Sequence, residues 1–303
     1  MQTFVITGAT SFIGLELIRY LLKHHHKVIA VCRRNSHKLS LIPVNTEVIC
    51  AEMQEYNELY KKKNHADVFI NLAWEGTGHD GRNVKNIQKT NISHTIKAMH
   101  TANKMGCKVF VEAGSQAEYG IVNESITENT PCNPISEYGK AKLETQKKLF
   151  SLSELLDIKY IHLRIFSLFG ENDHPWTLVM SCINKMLRNE PIELSNCTQK
   201  WNFLYVKDAV CQIVDLCEYA TNNPDYRHEI YNIASKDTRI LKDFVEEMKE
   251  LTSSTSELHF GTINPTNIVS LNPNITKMEN AIGELHFTPF QDVVNNIIWK
   301  YKH

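Results

Sequence analysis

No apolar run in this 303-residue sequence is long enough to cross a bilayer, and "MQTFVIT" opens it without a basic leader, an apolar core or a cleavage site. A cytoplasmic location is the expectation. Charge of one sign is also missing: 33 Lys and Arg stand against 34 Asp and Glu, for a formal net charge of −1. That excludes the one-signed surface field which nucleic-acid and membrane-surface partners require. Cysteine pairs are absent too. The eight cysteines lie at 32, 50, 107, 132, 182, 197, 211 and 217, none in a Cys-x-x-Cys pair. A chain of this length can bury a full core without staples, so they read as reduced, mostly buried small hydrophobes. No repeat or low-complexity segment occurs. The run His24–His26 falls where a first helix should end before the strand "KVIAVC". Cationic side chains suit a helix C-terminus, so no metal is expected.

What is there is alternation. "TFVIT" (3–7), "KVIAVC" (27–32), "TEVICA" (46–51), "DVFINLA" (67–73), "KVFVEAG" (108–114) and "YIHLRIF" (160–166) are short and rich in β-branched and aromatic residues. Helical patterns such as "IGLELIRYLLKH" and "NISHTIKAMHTANKMG" separate them, the latter ending on a capping Gly106. Strands alternating with helices imply an α/β fold with a doubly wound parallel sheet. After "FG" (169–170) helices dominate, with strand-like "NFLYV" and "EIYNIA" interleaved and two helices in the tail. The expected division is a cofactor-binding domain over 1–168, joined by part of 201–235, and a mainly substrate-binding, interleaved α/β domain over 169–303.

The segment "TGATSFIG" follows the first strand. Gly8 permits a tight strand-to-helix turn and Gly14 close packing of the helix on the sheet, so the helix N-terminus can face a pyrophosphate. Ser11 stands where a third glycine is usual; its hydroxyl should cap the helix or face the phosphate. After the second strand come Arg33 and Arg34, with no adjoining carboxylate to hold an adenosine ribose. Guanidinium groups suit a 2′-phosphate, which favours NADP as cofactor. Glu52 and Met53, after the third strand, are candidates to flank the adenine.

Ser115 follows the strand "KVFVEAG" and so sits at the carboxyl end of a central strand, where open α/β sheets place ligands. Tyr138 and Lys142, in "YGKAK", share one helix face, and a cation one turn away lowers a tyrosine's pKa. Asn91, on the preceding helix, is a candidate anchor for a proton-relay water.

Together these stretches resemble the extended short-chain dehydrogenase/reductases, the epimerase/dehydratase/reductase family of sugar-nucleotide enzymes, over essentially the whole chain. "TGATSFIG" resembles the family's TGxxGxxG, "DVFINLAW" its fourth-strand motif and "AGSQAEYG" its serine segment. "YGKAK" matches the Tyr-x-x-x-Lys, while "LRIFSLFG", "WNFLYVKDA" and "NITKMENAIGELHFTP" are similar to later signatures. The resemblance implies a Rossmann-type cofactor domain and a catalytic set of Ser115, Tyr138, Lys142 and Asn91. It implies a cofactor groove lined by Gly8, Thr10, Ser11, Phe12, Ile13, Gly14, Arg33, Arg34, Glu52, Met53, Leu72, Ala73, Trp74, Asn91, Tyr138, Lys142, Ile165 and Ser167. Ser115, Gln116, Glu118, His174, Trp176, Lys200 and Arg188 become candidates for the nucleotide-sugar substrate, with Arg239 a further candidate for its diphosphate. A homodimer through the helices carrying Asn91 and Tyr138 is likewise implied.

Within the family, 4,6-dehydratases carry an Asp-Glu pair after the catalytic Ser or Thr; here Gln116 and Ala117 cannot transfer protons, which argues against dehydration. The epimerising cysteine of the 3,5-epimerase/reductases is replaced by Ala117. The segments "LAWEGT", "GSQAEYG", "DHPWTL" and "CTQKWNFLYV" are similar to those of CDP-abequose/paratose-synthase-type 4-ketoreductases. The expected activity is therefore NADPH-dependent reduction at C4 of a nucleotide-linked deoxyhexose for surface polysaccharide such as O-antigen. A 4-epimerase with tightly bound NAD and a non-catalytic NADP-binding regulator stay open.

Overall fold

A computed structural model describes every residue except His79, Thr266 and His303. The chain runs through β1 (Thr3–Thr7), α1 (Phe12–Lys23), β2 (Lys27–Cys32), β3 (Glu47–Cys50), α2 (Leu59–Lys62), β4 (Val68–Asn71) and α3 (Lys85–Lys104). It continues through β5 (Val109–Ser115), α4 (Glu137–Leu156), β6 (Lys159–Ile165), β7 (Ser167–Phe169), α5 (Leu178–Leu187), β8 (Ile192–Leu194) and β9 (Lys200–Tyr205). The remainder is α6 (Val206–Asn222), β10 (His228–Ile233), β11 (Thr238–Ile240), α7 (Leu241–Leu251), β12 (Leu258–Phe260), α8 (Thr276–Ile282) and α9 (Phe290–Lys302).

Seven strands form one parallel sheet in the order β10-β6-β5-β4-β1-β2-β3. Helical crossovers cover both faces, which is why its strands are mostly apolar instead of alternating, with Thr7, Asn71, Glu112, His162, Arg164 and Asn232 as buried polar exceptions. On one face Phe4, Ile6, Ile70 and Val111 pack with Leu17 and Ile18 of α1 and Ile213 and Leu216 of α6. On the other, Val5, Phe69, Phe110 and Tyr160 pack with Ala98 and Met99 of α3 and Leu149 of α4. Of the two interleaved strands, "EIYNI" joins this sheet as β10. "NFLY" instead lies in β9, which pairs parallel with β7 and antiparallel with β11 in a separate three-stranded sheet. Around it a second apolar cluster gathers Phe169, Phe203, Phe244 and Phe290 with Ile183 and Val294.

Helix α3 starts six residues before the "NISHT" pattern. Its opening segment "KNIQKT" is polar and buries only Gln88, so apolar periodicity has no purchase there. Gly106, φ +71°, follows the end of α3 in the left-handed conformation. At the end of α1, the His24 ring stacks on Tyr20 and the His26 ring lies edge-on to Phe4. Because β1 has β4 on one side and β2 on the other, the chain winds in opposite senses from it. A crevice therefore opens at the carboxyl ends of β1 and β4.

Candidate active site

At that crevice the backbone turns at Gly8, φ +63°. A Cβ there would lie 2.9 Å from the Ala73 nitrogen and the Leu72 carbonyl carbon, so the turn sits directly on the end of β4. At Gly14 a Cβ would approach the Gly8 carbonyl oxygen to 2.6 Å. Both positions need glycine on steric grounds alone. Ser11 caps α1, its Oγ accepting the Gly14 N–H at 3.0 Å. Phe12 and Ile13 contribute first-turn N–H groups with no intrahelical acceptor, and no acidic side chain offsets the helix dipole. This cradle fits the pyrophosphate of a nicotinamide dinucleotide. The Ser36 hydroxyl, after β2, donates to Thr10 Oγ1 and ties the turn to the neighbouring loop.

No carboxylate adjoins Arg33 and Arg34 in the sequence, but the tertiary structure brings two beside them. Strands β2 and β3 run side by side with Cys32 opposite Cys50, which brings the segment after β3 against Arg34. The Arg34 guanidinium donates twice to Glu55, both at 2.6 Å, and its backbone N–H donates to Glu52 Oε1. Those contacts, the Arg34 hydrogen bonds first and the Glu52 N–H second, pull the Glu55 carboxyl down to about 2. Arg33 is exposed beside them, and Met53 is half-buried.

Ser115 ends β5, its Oγ accepting the Ala117 N–H at 3.2 Å, and Ile165 of β6 lies directly opposite. Ser136 caps α4 through the Gly139 N–H and so fixes the helix that carries Tyr138 and Lys142 on its buried face. Two cations lie near the Tyr138 ring, Arg82 at 4.4 Å and Lys142 at 5.9 Å from its centre. Trp74 meets Tyr138 edge-on, and its own ring carries the Lys142 ammonium at 3.5 Å. The Lys142 Nζ, only 2% exposed, donates to the Ala113 carbonyl at 2.5 Å and to Glu112 at 3.1 Å. Gln116 is half-buried immediately after Ser115.

Four candidates have other partners here. Glu118 is fully buried: it accepts the Ser115 N–H at 2.8 Å and sits against His162 Nε2 at 2.9 Å and Arg164 Nε at 2.9 Å. Burial pushes its carboxyl up, but His162, Arg164 and the Ser115 N–H outweigh burial and bring it down to about 2. It holds the serine loop from beneath and is closed off from solvent. Asn91 is buried with both ends of its amide on the backbone of Glu75, at 3.0 and 2.9 Å, and pins the loop after β4. Arg188 caps the far end of α5, about 15 Å along that helix from the loop bearing His174, and binds Glu190 and Asn184. Arg239 lies over Phe244, clasped by Asp237 and Glu247. Lys200 is exposed at the first position of β9, opposite Ile240. The His174 and Trp176 rings stack on each other at 4.4 Å, with Trp176 73% exposed. Ser167 opens β7.

Sequence reasoning missed Arg82, Asn71 and Glu112. Arg82 lies in a long loop with no periodicity to mark it. Glu112 did leave a trace, since a carboxylate inside the apolar run "KVFVEAG" must find a buried partner.

A parallel sheet with a glycine turn at its switch point, Ser115 at the carboxyl end of β5, and Tyr138 and Lys142 on the buried face of α4 define a Rossmann-type fold with a short-chain dehydrogenase arrangement. The chain belongs to the NAD dependent epimerase/dehydratase family, whose model matches residues 4–234. It is 22% identical over 272 residues to CDP-abequose synthase of Salmonella muenchen, covering 86% of this chain and 85% of that one. It is 27% identical over 247 residues to a putative UDP-glucose 4-epimerase of Methanocaldococcus jannaschii, covering 78% of each. The solved UDP-glucose 4-epimerase of Thermotoga maritima with UDP-glucose superposes with a TM-score of 0.88 at 19% identity, covering 99% of this chain and 98% of that one. The UDP-glucuronic acid 4-epimerase of Bacillus cereus, with UDP-glucuronic acid and NAD, gives 0.84 at 19% identity, covering 99% of each.

Proposed function

We propose that this protein reduces the C4 keto group of a nucleotide-linked deoxyhexose with NADPH. One observation carries the proposal. Lys142, beside the Tyr138 ring, donates to the Ala113 carbonyl two residues before Ser115 at the carboxyl end of β5, while the positions after the serine hold Gln116 and Ala117, which cannot eliminate water. The reduced nicotinamide, when bound, supplies the hydride. Tyr138 donates its proton to the C4 oxygen, and Ser115 donates a hydrogen bond to the same atom. Lys142 would hold the nicotinamide ribose and, with Arg82 also near the ring, place positive charge beside Tyr138. Gly8, Ser11 and the first turn of α1 would hold the pyrophosphate, and Arg33 with Arg34 the 2′-phosphate.

The sugar is proposed to lie between the 1–168 unit and the 169–303 unit, near Gln116 and the His174–Trp176 pair. A cytoplasmic homodimer through α3 and α4 belongs to the same proposal. Among the described residues no helix is long and apolar enough to cross a membrane.

A second reading, a 4-epimerase with tightly held NAD, draws support from Glu52 and Glu55. They occupy Arg34 and bring carboxylates to the end of β2, where a ribose would lie. One assay separates the two readings: NADPH and NADH oxidation by the purified protein, with and without a panel of 4-keto sugar nucleotides. Oxidation of NADPH that depends on the keto sugar is expected. NAD retained through purification, with no reduced cofactor consumed, would instead establish the epimerase.

A further inference from the structure

We propose that Glu112 is a positioning residue for Lys142: a fully buried carboxylate, anchored through Asn71 to Thr7, that sets the charge and place of the ammonium beside Tyr138. The inference rests on Tyr138 and Lys142 being the reactive pair of the preceding section.

Thr7, Asn71, Glu112 and His162 are successive cross-strand neighbours on β1, β4, β5 and β6. All four are buried, in the same sheet as the buried Arg164 of β6 and Asn232 of β10. The Thr7 hydroxyl donates to Asn71 Oδ1 at 2.6 Å, and Asn71 Nδ2 donates to Glu112 Oε2 at 2.6 Å. Lys142 Nζ then donates to Glu112 Oε1 at 3.1 Å. A buried polar row of this kind is unfavourable unless each member is paired, and here the pairing terminates on the reactive lysine. The groups facing Glu112 are Lys142 from α4, Asn71 from β4, and His162 and Tyr160 from β6. Burial pushes its carboxyl above the usual range, with Lys142, Asn71 and His162 pulling against it.

The consequence is a carboxylate whose charge depends on the ammonium, and an ammonium whose charge depends on the carboxylate. Without Glu112 the buried Lys142 loses its countercharge and gives up its proton more readily. The nearby cation that Tyr138 needs then disappears at lower pH.

The test is an NMR titration of the full-length protein labelled at lysine Nζ and at glutamate carboxyls, with Lys142→Met assigning the lysine signal. Glu112→Gln is expected to lower the Lys142 midpoint by about one pH unit or more, a tenfold change in proton affinity. The alkaline limb of kcat should move down with it, while KM for the sugar nucleotide is retained. Glu112→Asp, which keeps the charge, should lie nearer to wild type than the almost isosteric Gln. A packing role predicts the opposite order of the two variants, and that order would overturn the proposal, as would an unmoved Lys142 midpoint in folded Glu112→Gln. The Lys142→Met protein gives a reciprocal reading that does not need Glu112→Gln to fold. Its Glu112 carboxyl should titrate more than about one unit higher than in wild type, and an unchanged midpoint overturns the proposal. Failure of the reductase reading would show separately, as no turnover by wild type, and leaves both titrations interpretable.

Discussion

Two buried carboxylates lie six residues apart, one on β5 and one just past its end, and they are held in opposite ways. Glu118 has His162, Arg164 and the Ser115 N–H around it, more than enough to keep it ionised, and its carboxyl falls to about 2. Glu112 has one ammonium and one amide, and burial leaves its carboxyl above the usual range. The first is a permanent charge that pins a loop. The second is held less firmly in its charged form and touches Lys142, the lysine proposed to serve Tyr138. Burial alone therefore does not separate scaffold from chemistry; the number and charge of the partners does.

The comparison can be broken or sharpened by substitution. Tyr138→Phe removes the proton proposed to be transferred and little volume, so kcat should fall on the order of 10²–10⁴-fold with the melting temperature retained. Retention of near-full turnover would remove the chemistry from this side of the comparison. Glu118→Gln should act on the other side. It leaves Arg164 buried beside a neutral partner, at a cost of about 3–5 kcal/mol, read as a lower denaturant midpoint at pH 7.

The pH dependence of that loss follows from the direction of the shift. The folded carboxyl lies below its unfolded value near about 4.3, so its stabilisation is complete above that value and is lost as pH falls toward about 2. The gap between wild type and Glu118→Gln should accordingly be constant near neutrality and close on acidification. A gap independent of pH would show that Glu118 acts by shape.

A smaller effect is expected from Gly114→Ala. Its Cβ would meet His162 Nε2 at 2.3 Å and Glu118 Oε1 at 2.7 Å, wedging the triad apart for about 1–3 kcal/mol in the same denaturation assay. The smallest effect on stability belongs to Glu55→Gln. Glu55 also lies near 2, but in an exposed pair that water screens, so the melting temperature should hold. What should change is cofactor preference. Freed Arg34 is expected to lower KM for NADPH several-fold relative to NADH, and an unchanged ratio would detach Arg34 from the cofactor site.

Much of the parallel sheet was legible because its strands are short, apolar and separated by amphipathic helices; "TFVIT" and "KVIAVC" are β1 and β2 to the residue. The glycine turn and the Tyr138–Lys142 spacing were legible for the same reason, since local geometry alone demands those residue types. Where "NFLYV" would pair was not legible, because a short apolar strand carries no record of which sheet it joins. Nor were the partners of Glu118 and Asn91. Their polarity suggests ligand contact, yet one is consumed by His162 and Arg164 and the other by the backbone of Glu75.

By itself the sequence determined the alternation of strands and helices in the first half, the glycine turn after the first strand, and the tyrosine and lysine on one helix face. These depend on neighbours within a few residues of one another. Only the tertiary structure decided which charges are spent. Arg34 meets Glu55 because β3 lies beside β2, and Lys142 meets Glu112 because α4 packs over β5. A charge's function depends on the group that answers it, and those groups are supplied by parts of the chain 21 and 30 residues away.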